Sequence, residues 1–179
     1  ATTLSNMGSM YRRGGDFGKA APLLEEALAI RERVFPADHP ALLTSRNILA
    51  AVYHDEGRLD EALALAEDVL RARKDKLGSH PQVAGSYYSV GTILFALDRQ
   101  EDADEHLRQA IEIYRSELPP GHLDLARPLA FVGKTLVGRG RASEARPYLE
   151  ESLSIRKAKL PSDHPSVTSV TELLQSLTQ

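Results

Sequence analysis

HPALLTSRNILAAVYHDEGRLDEALALAEDVLRARKDKL, residues 39–77, decides the fold. Its apolar positions, Leu42, Leu49, Ala50 and Tyr53, recur at helical spacing up to a breaker at Gly57, and a second amphipathic run starts at Leu59-Asp60-Glu61-Ala62 and continues to Arg73 and Leu77. Two helices joined by a turn account for the stretch. The rest of the chain is that stretch written again. Histidines of the linking loops stand at His39, His80, His122 and His164, and an alanine ladder runs through Ala20, Ala62, Ala103 and Ala145; every step is 41 or 42 residues. The short steps coincide at Lys76-Leu77-Gly78-Ser79, which has one residue fewer than Val34-Phe35-Pro36-Ala37-Asp38. A deletion confined to a loop leaves both helices in register.

A third ladder, Gly8, Ala50, Gly91 and Gly133, lies twelve residues before each alanine. Small residues at both sites imply that two helices approach closely at the same place in every unit. A fixed period of this length signifies a solenoid. Within the unit, the small residue, the alanine twelve later and the apolar set Leu4, Met7, Tyr11, Phe17, Leu24 and Ala27 resemble the tetratricopeptide repeat, a helix–turn–helix motif of about 34 residues. The longer unit here, together with Ala27-Leu28-Ala29-Ile30-Arg31-Glu32 and Asp38-His39-Pro40, looks like the kinesin light chain and nephrocystin type of that repeat.

The resemblance implies an all-α tetratricopeptide-repeat solenoid, a right-handed superhelix of antiparallel helix pairs, four pairs plus a C-terminal capping helix. The expected organisation is one repeat domain over 1–179, with repeats at about 1–38, 39–79, 80–121 and 122–163 and a terminal helix at 164–179. The first pair is read as Thr2 to Arg13, a break at Gly14-Gly15, and a second helix capped by Asp16 that runs on through Phe35 until Pro36 stops it. Pro40 to Glu56 and Leu59 to Leu77 form the second pair; Pro81 to Leu97 and Glu101 to Leu118 form the third, turning through Asp98-Arg99-Gln100 without a glycine. In the fourth, Pro128 argues for a late helix start near Asp124 or Leu125, because an interior proline removes a backbone hydrogen bond. Pro147 is accommodated by starting the next helix at Ala142 or Ser143. Ser166 to Leu177 supplies a first helix without a second, and with Gln175 at the small-residue position it reads as a cap with a polar outer face, truncation of a longer array being the rival explanation.

Composition bounds the function. The net charge is −3, from 22 basic and 25 acidic residues, which offers no general attraction for nucleic acid or an anionic membrane. Cysteine is absent, so disulfides, thiolate nucleophiles and thiolate metal sites are excluded. No apolar run reaches the roughly 18 residues of a membrane span, and Ala1-Thr2-Thr3-Leu4 has no signal-peptide pattern. A cytoplasmic module is expected. A start without Met that enters directly into a repeat is expected of an excerpt from a longer array.

The first helices should line a concave groove. Its candidate peptide-binding residues are Asn6, Ser9 and Arg13 in repeat one, Asn47 and His54 in repeat two, Tyr88, Thr92 and Phe95 in repeat three, and Arg127, Phe131 and Lys134 in repeat four. Ser5, Arg12, Asp55 and Ala130 project onto the same face. Asparagine amides both donate and accept, which suits the backbone of an extended peptide; the aromatic rings offer pockets, and Arg127 and Lys134 can pair with acidic groups. Light chains of kinesin are similar in carrying asparagines on inner helices that engage cargo peptides, and Asn6 and Asn47 fall on matching columns. Repeats three and four have Tyr88-Ser89 and Ala130-Phe131 there, so the same cargo is not implied. Ser5, Ser9 and Ile48 occupy the columns where carboxylate-clamp members of the family need Lys and Asn.

No catalytic residue, cofactor or metal is indicated. The four loop histidines stand one per repeat, about 10 Å apart for each packed helix, whereas zinc needs several ligands at about 2 Å. His54 and Asp55 project about 100° apart on a helix, poor geometry for an acid–base dyad. Charges on the second helices, Glu25, Glu26, Arg31 and Arg33, read as a solvated face. The expected function is a non-enzymatic protein–protein interaction scaffold that takes a peptide of a partner into the groove. Alternatives are a structural module that self-associates through its solenoid ends and a regulatory sensor domain of a larger protein.

Overall fold

A computed structural model describes residues 1–177; the last two positions of the expected 164–179 terminal segment lie outside the described residues. Among those described there are nine helices and no strand. They are α1 (Thr2–Arg13), α2 (Phe17–Glu32), α3 (Pro40–Glu56), α4 (Leu59–Leu77), α5 (Pro81–Ala96), α6 (Gln100–Glu117), α7 (Leu123–Gly138), α8 (Ala142–Lys159) and α9 (Pro165–Ser176). No described helix is long and apolar enough to cross a membrane. Two compact units result, residues 1–106 and 107 onward.

The recurring histidines start helices. His39, His80, His122 and His164 are the N-caps of α3, α5, α7 and α9, and each Nδ1 accepts from the backbone N–H two residues on, at 3.2, 3.1, 3.3 and 3.2 Å. One otherwise orphaned donor is satisfied in each. Proline follows at the first helical position in α3, α5 and α9, where its missing N–H costs nothing. The turn inside each hairpin also repeats: Gly15, Gly57 and Gly140 take positive φ of 78°, 81° and 73°, and Asp98 occupies the same position at 60°. A short polar side chain tolerates this left-handed geometry, which explains a turn without glycine.

Two expected boundaries are corrected. Helix α7 starts at Leu123, not at Asp124 or Leu125, because the His122 cap fixes its beginning. Pro128 is inside it at the sixth helical position, the position that Pro22 holds in α2 and Pro147 in α8. Helix α2 ends at Glu32 rather than Phe35. Val34 and Phe35 both donate to the Arg31 carbonyl, at 3.1 and 2.9 Å, and the freed Phe35 ring stacks on His39 with centroids 4.0 Å apart.

In the first unit, α2 packs between α1 and α3, and α4 between α3 and α5. The core consists of the ladder residues and their neighbours, including Ala20, Leu24, Ala27, Leu49, Ala50, Val52, Ala62 and Ala66. Gly8 is needed because a Cβ there would lie 2.6 Å from Leu24 Cγ. The second unit packs α8 between α7 and α9. Val170 of α9 joins Leu136, Ala145 and Leu149, flanked by Leu173, Leu174 and Leu177, while Thr168, Ser169, Glu172 and Gln175 remain exposed. Helix α9 is therefore amphipathic, with its apolar side on the α7–α8 hairpin and its polar side outward.

Candidate functional site

The first helices α1, α3 and α5 neighbour one another in the first unit, so the faces away from the second helices form a shared surface. Of the candidate residues on these helices, Asn6 and Arg13 are exposed, and Ser9, Asn47, His54, Tyr88, Thr92 and Phe95 are half-buried. The Asn47 Oδ1 is shielded from solvent and has no hydrogen-bond partner in the chain. Thr92 turns its hydroxyl inward, donating to the Ser89 carbonyl at 2.8 Å, and Ser89 does the same to Gly85 at 3.0 Å. Arg12 Nε donates to Asp55 Oδ2 at 2.8 Å and ties α1 to α3; His54 Nδ1 lies 3.3 Å from Asp55 Oδ1. The histidine and aspartate do meet despite their angular separation, but the carboxylate is already engaged by Arg12. In the second unit, Arg127 and Lys134 are exposed on α7 and Phe131 is half-buried.

Ser5 and Arg31 lie elsewhere than expected. Ser5 is buried, and Arg31, read as part of a solvated face, donates through Nη1 to Ser5 Oγ at 2.6 Å and Ser45 Oγ at 2.5 Å. This one guanidinium joins α1, α2 and α3. The equivalent Arg73 donates to Ser86 Oγ at 2.9 Å, and Arg156 donates to the Ser166 and Ala126 carbonyls at 2.6 and 3.2 Å. Burying a charge is tolerable only with such partners. The signal was available as a fourth ladder: Arg31, Arg73, Tyr114 and Arg156 each stand eleven residues after the ladder alanine. The other second-helix charges remain outside, except that Glu25 accepts from the Tyr53 hydroxyl at 2.8 Å. Burial, then the Glu25 carboxylate, push the Tyr53 phenol up to about 12.

Among the described residues, no three His, Asp or Glu converge as a metal site would require. What the geometry presents is a series of helix hairpins whose first helices carry exposed and half-buried polar and aromatic side chains. That defines the class, a helix-hairpin repeat scaffold.

Comparison with known proteins agrees. The tetratricopeptide repeat model matches residues 1–75, 49–116 and 82–158, and the chain belongs to that family. A curated relative, Protein KINESIN LIGHT CHAIN-RELATED 2 of Arabidopsis thaliana, is 34% identical over 92 residues, 51% of this chain and 14% of that protein. The match therefore spans only a small part of the relative's length. The crystal structure of a Podosopora anserina protein, described as a candidate kinesin light chain with nearly identical TPR-like repeats, superimposes with a TM-score of 0.79 at 26% identity, over 99% of this chain and 85% of that one. BtubC (BKLC) from P. vanneervenii gives 0.80 at 22% identity, over 97% and 70% of the two chains. Aspartyl phosphate phosphatase F from Bacillus subtilis gives 0.81 at 14% identity, over 97% and 44%, a likeness of fold alone.

Proposed function

We propose that the chain is a non-enzymatic, cytoplasmic interaction scaffold whose first helices bind a peptide segment of a partner protein. The observation that carries this reading is Asn47: its amide oxygen is withdrawn from solvent, lacks a partner in the chain, and lies on α3, the helix that neighbours both α1 and α5. A peptide backbone N–H would complete that oxygen, since an unsatisfied buried acceptor costs roughly 1–3 kcal/mol. Asn6 and Arg13 supply polar contacts alongside, and the half-buried rings of Tyr88 and Phe95 supply apolar area. In the second unit Phe131, with Arg127 and Lys134, favours an apolar segment carrying acidic groups.

The test is capture on a peptide array or by pull-down, comparing the intact chain with a form carrying Asn47→Ala, Tyr88→Ala and Phe131→Ala together. Circular dichroism establishes that both are folded. Loss of capture supports the groove. Undiminished capture by a folded triple variant removes it.

A further inference from the structure

An open cleft of about 610 Å³ lies in the first unit between the α2–α3 loop, α3 and one stripe of α4. It uses none of the groove candidates. Its stripe on α4 is Asp68, Arg71, Ala72 and Asp75, at the i, i+3, i+4, i+7 spacing of one helix face. The repeat shows which of the lining residues are peculiar to this place. Ala72 stands ten residues after its ladder alanine, where the other three repeats have Ile30, Ile113 and Ile155. Asp75 stands thirteen after, where they have Arg33, Ser116 and Ala158. Arg46 in α3 occupies a column otherwise filled by Leu4, Tyr87 and Leu129. A small floor and two charges thus coincide at one cleft, although the columns that supply them are independent.

The charges around the cleft are unequally partnered. Arg46 Nη2 donates to Glu32 Oε1 at 3.0 Å and its Nη1 to the Ala37 carbonyl at 3.5 Å, which ties one wall to the end of α2 and to the loop. Lys76 Nζ donates to Asp38 Oδ2 at 2.8 Å across the rim, and Arg71 Nη2 to Asp68 Oδ1 at 3.1 Å along the stripe. Every cation of the cleft therefore has its own carboxylate. The Asp75 carboxylate has neither an ion pair nor a hydrogen bond among the described residues. One unbalanced negative charge is left beside an alanine floor.

We propose that this cleft receives one arginine side chain of a partner protein, its aliphatic stem over Ala72 and its guanidinium on the Asp75 carboxylate. Arginine suits the place better than lysine, because its planar fork takes both oxygens of a single carboxylate. The stem finds the apolar floor that a long cationic side chain covers while keeping its head in water. An acidic side chain is disfavoured, since each cation here is already paired. Isoleucine at 72, as in the other repeats, would occupy the space of the stem. The contact goes beyond the peptide groove and adds a second point of attachment on different side chains.

The test titrates the full chain with N-acetyl-L-arginine amide at constant ionic strength and follows amide chemical shifts. Saturable shifts are expected at Ala37, Ala72, Asp75 and Lys76, with a dissociation constant on the order of 10 mM for one exposed ion pair and a short stem. Ala72→Ile should weaken binding by about tenfold or more, a difference of about 1.4 kcal/mol. Asp75→Asn should weaken it by about fivefold, whereas Asp60→Asn, at an exposed acid of α4 outside the cleft, should change nothing. Isoleucine already stands at the equivalent position of α2, α6 and α8, and the exposed Asp75→Asn keeps the experiment decisive if Ala72→Ile does not fold. Absence of saturable shifts, or binding undiminished in folded Ala72→Ile, overturns the proposal. Equal weakening by Asp60→Asn does so too, since the attraction would then be unspecific. The same shifts with N-acetylglycinate would make the site one for anions, and free L-arginine binding about tenfold tighter than the blocked probe would make the ligand an amino acid; either result removes the partner side chain.

Discussion

Replacing Gly133 with alanine is the sharpest probe of the packing. The added Cβ would sit 2.5 Å from both Cγ and Cδ2 of Leu149, against the 3.5–4.0 Å of a normal carbon contact. Rotation about χ2 leaves Cγ in place, and a change of χ1 has no room because Leu149 is 0% exposed, so α7 and α8 must move apart. Overpacking of this kind costs roughly 1–3 kcal/mol, offset by about 1 kcal/mol from the better helix propensity of alanine, a net loss of up to about 2 kcal/mol. Leu149→Ala alone leaves a cavity and costs about 2–5 kcal/mol. Repeat two shows how the two changes combine: Ala50 and Ala66 occupy the same pair of positions, each 1% exposed. The Gly133→Ala, Leu149→Ala double variant should therefore be more stable than the sum of the singles by about 1–3 kcal/mol. Urea unfolding followed by circular dichroism, with hydrogen exchange to localise the loss to α7 and α8, measures this cycle. Additivity within about 0.5 kcal/mol, or stabilisation by Gly133→Ala alone, would refute the steric argument.

Arg31→Ala should cost roughly 3 kcal/mol in the same assay, since two hydrogen bonds to a charged donor are lost and the Ser5 and Ser45 hydroxyls are left in a buried place; exposed Arg33→Ala should be nearly silent. His39→Ala should lose about 1 kcal/mol of cap energy, whereas His39→Asn, which keeps an acceptor for the Ala41 N–H, should lose much less. Tyr53 makes stability depend on alkaline pH: its folded-state value of about 12 exceeds the ordinary phenol value of 10.0, so its contribution is complete below pH 10 and is lost as the pH climbs from 10 towards 12. Tyr53→Phe should flatten the melting temperature over that interval.

The repeat was legible because a solenoid buries each unit against its sequence neighbours, so core positions recur at one period. Gly8 and Gly133, each twelve residues before a ladder alanine, declare the close approach of two helices without any structure. The errors came from reading residue types singly. Pro128 looked like a helix breaker until the His122 cap placed it level with Pro22 and Pro147. Arg31 looked solvated because arginine usually is, while its column, continued at Arg73 and Arg156, lies in the packed layer. The candidate groove was legible only as a direction. Helical phase separates Asn6 and Arg13, which are exposed, from Ser5, which is buried, by a single residue step, and only the three-dimensional packing decides which side of that step faces outward.

The histidine caps also fix a proton. A neutral imidazole whose Nδ1 accepts a hydrogen bond must carry its hydrogen on Nε2, so all four junctions hold the same tautomer and each directs an N–H away from the helix it starts. Ring-nitrogen chemical shifts would show one pattern repeated four times. The joints between repeats thus share one hydrogen-bonding device, while the hairpins between them are held by the apolar contacts of the alanine and glycine ladders.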